Sequence, residues 1–526
     1  MTLADAIAPG SGHGRLHFPD ETTSLDYGEL WTAGEAIGCL RAATDGKPVM
    51  VILTNTRACA AVLVGAIAVG QPLVSVPLPP RGADLAWYGQ FVWRINAISG
   101  AGTLLVDTSL LSLIPPVDGL TVMSFDDALA LRGPSTADPA SFTLTQFTSG
   151  STADPKGIVL SGDKVAANLE AIMTWIQPDA DFCTCSWLPL SHDMGLLGMF
   201  LAPLVAMTDR WARSGKLVIM APTTFLRRPA SWLTACEEFQ ATLTAGSNYS
   251  YDMAARRRGA AHDLRSLRIC IVGSEPISAG TLERFTEVFR DTGFDPRAFS
   301  PGYGMAEAGL AVTATPRGTH WTALELASLV ADSDREIDAA GEHRVVSSGI
   351  ALPGYEVRVD GTGLGEVLVR GPSIATSYAD GTPLVDADGW YHTRDLGAVR
   401  DGGCYVLGRT DDVFQVAGRN IYAVDVEAHA AEVTGVRRGR VVAVPDNGGL
   451  TLVAECDPSI SDRASTARVA QALRQQIVSR LGTAPHRVLL ARRGALPVTA
   501  SGKIRRKPLI AALRSAELEI LTGSIE

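Results

Sequence analysis

The chain has 526 residues, 46% of them hydrophobic and 19% charged, and its 46 Lys and Arg against 56 Asp and Glu leave a formal net charge of −10. That length exceeds what one hydrophobic core organises, so two or more domains of a soluble protein are expected. The acidic balance, with no basic block to track a phosphate backbone, excludes nucleic acid as the main partner. Eight cysteines are scattered; Cys183-Thr184-Cys185 has a spacing that suits neither a zinc knuckle nor a redox pair, so reduced thiols in the cytoplasm are expected. Met1-Thr2-Leu3-Ala4-Asp5 lacks the basic start of a signal peptide, and the most apolar run, residues 58–70, falls short of the roughly 20 residues that cross a bilayer, so no membrane span is expected.

Residues 27–43 read as helix, 49–53 as a continuous apolar strand, 58–70 as a buried helix and 72–77 as a further strand. Apolar strands separated by helices point to parallel sheet covered on both faces. The strand-like run 142–147 then leads into Thr148-Ser149-Gly150-Ser151-Thr152-Ala153-Asp154-Pro155-Lys156-Gly157, and Ile158-Val159-Leu160 follows as a second strand. Strand, polar glycine loop and strand read as a β-hairpin. Its hydroxyls, glycines and Lys156 suit nucleotide phosphates, against the plainer alternative of a solvated turn. Pro155 stands where a Walker A loop needs glycine, so that motif is excluded.

Residues 165–175 read as helix and 185–190 as a strand ending in Ser191-His192-Asp193-Met194-Gly195, where open α/β sheets place ligand crevices. The same pair reads equally as a cap, with Asp193 starting a helix over 196–206. Residues 267–272 form a strand, Gly273-Ser274-Glu275-Pro276 a turn, and 278–292 a helix. In Gly302-Tyr303-Gly304-Met305-Ala306-Glu307 a tyrosine between glycines leaves its ring open to a flat partner, and Glu307 is a hard oxygen ligand suited to Mg²⁺; the stretch alone also fits an ordinary glycine turn. From Gly349 short strands at 356–359, 365–370, 389–393 and 405–407 predict a small β subdomain, in which Asp395 can accept from ribose hydroxyls. Gly408-Arg409-Thr410-Asp411-Asp412 reads as a linker, and Lys503, on a glycine turn of the final α/β region, reaches a distant site only if that region docks over it.

With these motifs in order, the chain resembles the adenylate-forming superfamily of acyl-CoA synthetases, luciferases and adenylation domains over residues 20–515, and within it the fatty acyl-AMP ligases. The runs 186–195, 247–252 and 418–427 carry the closer likeness, as does an extra segment between Thr313 and Ser348. The resemblance implies an α/β fold: a large N-terminal domain (1–408) of two α/β subdomains plus a small β-barrel-like subdomain, a hinge at 409–412 centred on Asp411, and a small mobile α+β C-terminal domain (413–526). In that family the extra segment hinders the rotation needed for CoA thioesterification; the polar residues Asp332, Asp334, Arg335, Glu336 and Asp338 also fit a plain surface loop.

The implied chemistry is attack of a carboxylate on the α-phosphate of ATP, giving an acyl-adenylate and pyrophosphate, with ATP and Mg²⁺ as cofactors. Thr148, Ser149, Gly150, Ser151, Thr152 and Lys156 are expected at the phosphates; Gly273, Ser274, Glu275, Tyr303, Gly304, Met305, Asp395 and Arg409 at adenine and ribose; and Asn248, Tyr249 and Gly302 at the acyl pocket. Lys503, Glu307 and His192 are expected to be catalytic, with Glu307 also the metal ligand. Gly162, Ser191, Ser247 and Ala423 depart from the residues common in the family, and Ser247 adjoins the acyl pocket, so the acid is expected to be fatty or bulky and cyclic or terpenoid. The acceptor is an acyl carrier protein, CoA or a partner transferase. A complete acyl-CoA ligase, an amino acid activator and a non-catalytic nucleotide-binding scaffold are the other readings.

Overall fold

The computed structural model describes the chain apart from residues 1, 10–12, 79–84, 148–155, 258–261, 331–343, 411–412, 417–418, 447–448, 461, 482–483, 499–503, 516, 522 and 526. Its first sheet has six strands, in the order Thr121–Ser124, Thr103–Val106, Val49–Val51, Leu73–Ser75, Thr143–Phe147 and Gly157–Ser161. All neighbours are parallel except the last pair, which runs antiparallel from Thr143↔Ser161 to Phe147↔Gly157. The expected hairpin therefore frames the glycine loop. The apolar run before it is the helix Arg57–Val69, capped by the Thr56 side chain and closed by Gly70 in the left-handed region at φ 72°. The helix expected over 27–43 is broken into Tyr27–Trp31 and Gly34–Ala43.

The second sheet is larger, with 14 strands. Its parallel half sets His13–Phe18, Ser214–Ile219, Cys183–Ser186, Leu243–Gly246, Ile269–Val272 and Phe299–Gly304 side by side. Beyond Phe299–Gly304 the same sheet turns antiparallel through Ala311–Ala314, Arg344–Ala351, Gly403–Arg409, Tyr391–Arg400, Leu364–Arg370 and Glu356–Val359. The small β region foreseen from its short strands is thus continuous with the α/β sheet. Between Ala311–Ala314 and Arg344–Ala351 the chain makes the strand Ala323–Glu325 and the helix Leu326–Val330, whose Leu326 and Leu329 are buried with Leu364, Leu396, Tyr405 and Leu407. This part of the extra segment is packed structure; its polar stretch lies outside the described residues.

The run Trp187-Leu188-Pro189-Leu190 does not continue the strand, which ends at Ser186. Asn55, at the end of the first sheet's central strand, takes over its backbone groups. Its side-chain amide donates to the Leu188 and Met220 carbonyls at 3.0 and 2.9 Å, and its carbonyl accepts from the Leu190 N–H at 3.0 Å. Trp187 stacks on Phe225 with centroids 3.8 Å apart, and Phe225 meets the buried Trp232 edge-on. One buried asparagine therefore ties the two sheets together just before His192. Asn55→Ala strands three backbone groups and is expected to cost about 3 kcal/mol, read as a lowered melting temperature; an unchanged melt would refute that role.

The C-terminal region builds its own sheet, Val436–Asp446 antiparallel to Gly449–Cys456 and Gly449–Cys456 parallel to Arg487–Ala491, beside a hairpin of Val413–Val416 and Arg419–Tyr422. The helices Ala423–Ala430 and Arg463–Leu481 bury Val426, Ala430, Ala470, Leu473 and Ile477 in a core separate from the large one. Among the described residues no helix is long and apolar enough to cross a membrane.

Candidate active site

Open α/β sheets bind ligands beyond the carboxyl ends of their strands. The expected residues gather there: Gly273 follows Ile269–Val272, Gly304 ends Phe299–Gly304, and His192 follows Cys183–Ser186. A cavity of about 710 Å³ lined by Arg15, Cys183, Lys216 and Arg268 lies at the opposite, amino ends of these strands and takes no part in the site.

Tyr303 is held by its hydroxyl, which donates to Asp395 Oδ2 at 2.6 Å. Asp395 pairs in register with Arg409 across two antiparallel strands, and Arg409 Nη1 donates to Asp395 Oδ1 at 2.9 Å and to the Thr393 carbonyl at 2.7 Å. Three residues expected at adenine and ribose, from separate strands, thus form one clamp. Burial, then Asp395, push the Tyr303 pKa well up, so the phenol stays protonated as a donor. Gly304 has to be glycine: a Cβ there would sit 1.8 Å from the Leu310 carbonyl oxygen, while Met305 N–H donates to that same carbonyl at 2.8 Å. Ser274 follows Gly273 at φ 72° and donates to Met194 Sδ at 3.4 Å. Glu275 completes this turn.

Glu307 lies on a single 3₁₀ turn, Ala306–Ala308, directly after the clamp. Its carbonyl accepts from the Ala375 N–H at 2.7 Å, and Ala379 N–H donates to the Gly157 carbonyl at 2.8 Å. The segment around Tyr378 therefore straps the glutamate turn to the base of the phosphate hairpin. Burial raises the Glu307 pKa; the Tyr391 hydroxyl and the Arg409 charge pull it down, and Asp193 adds to the rise. Lys156, expected at the phosphates, sets its Nζ 4.9 Å from the centroid of the Tyr378 ring.

His192 Nδ1 meets Asp193 Oδ1 at 2.5 Å, and the same oxygen accepts from Met194 N–H at 2.7 Å. Asp193 starts a π-helical stretch, Met194–Leu201, as the capping reading expects, and its pairing with His192 holds that ring beyond the strand end. Gly195 allows the tight turn, since a Cβ would lie 2.0 Å from the Pro189 oxygen.

At the expected acyl pocket, Gly302 pairs with Ala314 in the sheet, where a Cβ would lie 3.1 Å from the Thr313 carbonyl oxygen. The Asn248 amide braces the neighbouring loop, donating to the Pro276 carbonyl at 2.8 Å and accepting from Ser278 N–H at 2.9 Å. The Tyr249 ring is capped by the Arg440 guanidinium of the C-terminal region, 4.9 Å from its centroid. Thr148, Ser149, Gly150, Ser151, Thr152, Asp411 and Lys503 lie outside the described residues. Sequence reasoning passed over Asn55, Tyr378 and Tyr391. Only Tyr391 carried a signal, as an aromatic four residues before Asp395.

Residues 6–379 match the family model described as AMP-binding enzyme. The chain belongs to the AMP-binding enzyme family. It is 33% identical over 419 residues to the long-chain-fatty-acid–AMP ligase FadD26 of Mycobacterium marinum, covering 70% of this chain and 69% of that one. It is 30% identical over 429 residues to the 4-hydroxyphenylalkanoate adenylyltransferase of Mycobacterium tuberculosis, covering 72% of this chain and 67% of that enzyme. A solved structure from work on the fatty acyl-adenylate ligases of E. coli and L. pneumophila superposes with a TM-score of 0.87 at 26% identity, over 98% of each chain. The expected fold of this AMP-binding enzyme, a large N-terminal α/β part and a smaller C-terminal one, is borne out.

Proposed function

We propose that this AMP-binding enzyme activates a hydrophobic carboxylic acid, fatty or bulky and cyclic, and passes the acyl group to the thiol of a carrier protein. The enzyme is an ATP-dependent acyl-AMP ligase. The observation that carries this reading is the joining of Tyr303, Asp395 and Arg409 in one clamp, directly followed by Glu307, at the carboxyl ends of a parallel sheet. A long-chain fatty acid and a 4-hydroxyphenylalkanoate in the names of similar relatives support a hydrophobic acid without fixing its shape.

In the reaction a carboxylate oxygen bonds to the α-phosphorus of ATP while the bond to the bridging oxygen of pyrophosphate breaks, leaving acyl-AMP. The site has to hold two anions that repel each other in line, so positioning and charge neutralisation supply the catalysis. Tyr303 offers its ring to adenine, Asp395 and Arg409 hold the ribose, and Lys156 with the hydroxyls of residues 148–152 takes the β- and γ-phosphates. His192, kept in place by Asp193, faces the reacting carboxylate, and Lys503 bridges that carboxylate and the α-phosphate. Gly273, Ser274, Glu275 and Met305 border the adenine, and Asn248, Tyr249 and Gly302 border the acyl chain. The donor set fits Mg²⁺: Glu307 is a carboxylate with one neighbouring acid, and the described residues hold no cluster of three His, Cys, Asp or Glu that would bind a metal without phosphate. Bound there with the phosphates, Mg²⁺ would neutralise charge on the leaving pyrophosphate.

Residues 409–412 act as the hinge between an N-terminal domain, 1–408, and a C-terminal domain, 413–526, that brings Lys503 in. Eight free cysteines, seven of them buried, fit a reducing cytoplasm. The test is ATP–pyrophosphate exchange over a panel of linear, aromatic and cyclic acids, with products analysed with and without CoA. Exchange that depends on a hydrophobic acid, with acyl-AMP accumulating even when CoA is present, is expected. A CoA thioester would make it a complete acyl-CoA ligase, and exchange with no acid would refute the reading.

A further inference from the structure

Among the non-glycine residues with positive φ, Arg394 is the one set inside a strand at the nucleotide clamp, at φ 59° between Thr393 and Asp395 of Tyr391–Arg400. The left-handed region penalises an L side chain, and arginine has no short polar group to offset it locally. Strain of this kind persists where the surroundings hold it, and it gathers at functional sites. Here they do hold it: Arg394 N–H donates to Glu366 Oε1 at 2.7 Å, and its carbonyl accepts from Thr410 Oγ1 at 3.2 Å. The register between this strand and Leu364–Arg370 also slips at Glu366. Glycine would satisfy every one of these backbone demands, so the backbone gives no reason for an arginine.

The side chain has a consistent surrounding. Arg394 is exposed, and among the described residues its guanidinium has no hydrogen-bond or ion-pair partner. Its charge nevertheless reaches the Tyr378 hydroxyl together with that of Arg409, opposing the pull of Glu307. The Tyr378 ring carries Lys156. Three cations thus act on one tyrosine, Lys156 from over its ring and the two arginines through their charge, and of these Arg409 is committed to Asp395 and Thr393. Lys156 and Arg394 are the two without such a commitment, and Arg394 follows the strand position of Tyr391 and precedes Asp395 at the clamp.

We propose that Arg394 is a further phosphate-binding residue, meeting the β- and γ-phosphates of ATP together with Lys156. The inference rests on the ATP site read above and extends it by a contact outside the glycine loop. An arginine fork suits non-bridging phosphate oxygens, and a guanidinium held by a fixed backbone loses less freedom on binding than a mobile lysine.

The test compares wild type, Arg394→Gly and Arg394→Lys in binding titrations with ATP and with adenosine in the presence of Mg²⁺, alongside thermal melts. Because glycine fits the left-handed conformation, Arg394→Gly is expected to melt at or above the wild-type temperature, so a lost contact is not confused with a damaged fold. Its affinity for ATP is expected to fall roughly 10-fold while that for adenosine stays within about twofold, and Arg394→Lys is expected to fall between. Equal ATP affinity in wild type and Arg394→Gly would overturn the proposal, as would a matching loss for adenosine, which would mean that Arg394 acts through Asp395, or a wild type that binds no ATP. Since binding is read rather than turnover, a wild type that binds ATP yet exchanges no pyrophosphate with any acid would sink the acyl-AMP ligase reading and leave this one standing.

Discussion

Lys503→Ala is expected to slow acid-dependent ATP–pyrophosphate exchange by roughly 100-fold or more, the usual consequence of removing one preorganised donor from a phosphoryl-transfer transition state, worth ~3 kcal/mol. The residues flanking this lysine are themselves anchored. Val498 bridges to Ile504, and Arg505 N–H donates to the Pro497 carbonyl at 2.8 Å. Upstream, Glu455 is 1% exposed and its Oε1 accepts from the Gly494 and Leu496 N–H groups at 2.9 and 3.1 Å, while its Oε2 pairs with Arg437. Downstream, Arg506 pairs with Glu427. A buried carboxylate spent on two backbone N–H groups costs desolvation, and that cost is tolerated where a loop has to keep one shape. Lys503→Ala leaves the residues of the nucleotide clamp and these anchors unchanged, so ATP binding and the melting temperature should hold while exchange collapses. Lys503→Arg keeps the charge but presents a planar fork in place of a compact ammonium, and it should recover only part of the rate. Exchange at the wild-type rate in Lys503→Ala would show that the C-terminal region does not deliver the α-phosphate contact.

Local chemistry made the elements legible; their partners across the chain were not. The hairpin around residues 148–155 could be read because two apolar strands flank a polar glycine run, and its antiparallel register follows. The parallel sheets could be read because continuous apolar strands alternate with helices. Strand order could not: that the short strands after Gly349 extend the second sheet through Ala311–Ala314 depends on pairings between distant residues, such as Thr313 with Ala351. Residues 185–190 read as strand from their apolar content, but the ladder stops at Ser186 because Asn55, 133 positions before Leu188, takes the backbone groups. The site divides in the same way. Glu307 and Asp395 stand out as candidates from residue type beside glycine or a strand end. That Tyr303 donates to Asp395 is not legible, since the sequence by itself gives each residue its own partner on the nucleotide. Arg394 was hidden because arginine is not a residue that announces positive φ, and Tyr378 because nothing near it in sequence marks the strap that carries it to Lys156.

Glu307→Gln should cut exchange about 100-fold at limiting Mg²⁺, at or beyond the upper end of what losing a supporting residue of a metal site costs, because the ligand itself is changed. Glutamine keeps the shape of the side chain, and its amide can still meet the Tyr391 hydroxyl. What it removes is the anionic oxygen that a hard divalent cation requires. Raising Mg²⁺ should restore part of the rate, because the phosphates still supply ligands, and Glu307→Asp should lie between the two. Stability should move the other way. Burial raises the Glu307 pKa above its unfolded value, so the folded state favours the protonated form. The contribution of this group is therefore greatest at low pH and is lost as pH rises through the raised value, which leaves the ionised carboxylate a net cost at neutral pH. Glu307→Gln removes that cost and should melt at or above the wild-type temperature at pH 7, with the gap closing as pH falls below the unfolded carboxyl range. A residue whose neutral replacement steadies the fold while cutting the rate is one kept for its charge. An unchanged Mg²⁺ dependence of exchange in Glu307→Gln would remove Glu307 from the metal site and leave the clamp of Tyr303, Asp395 and Arg409 as a nucleotide site alone.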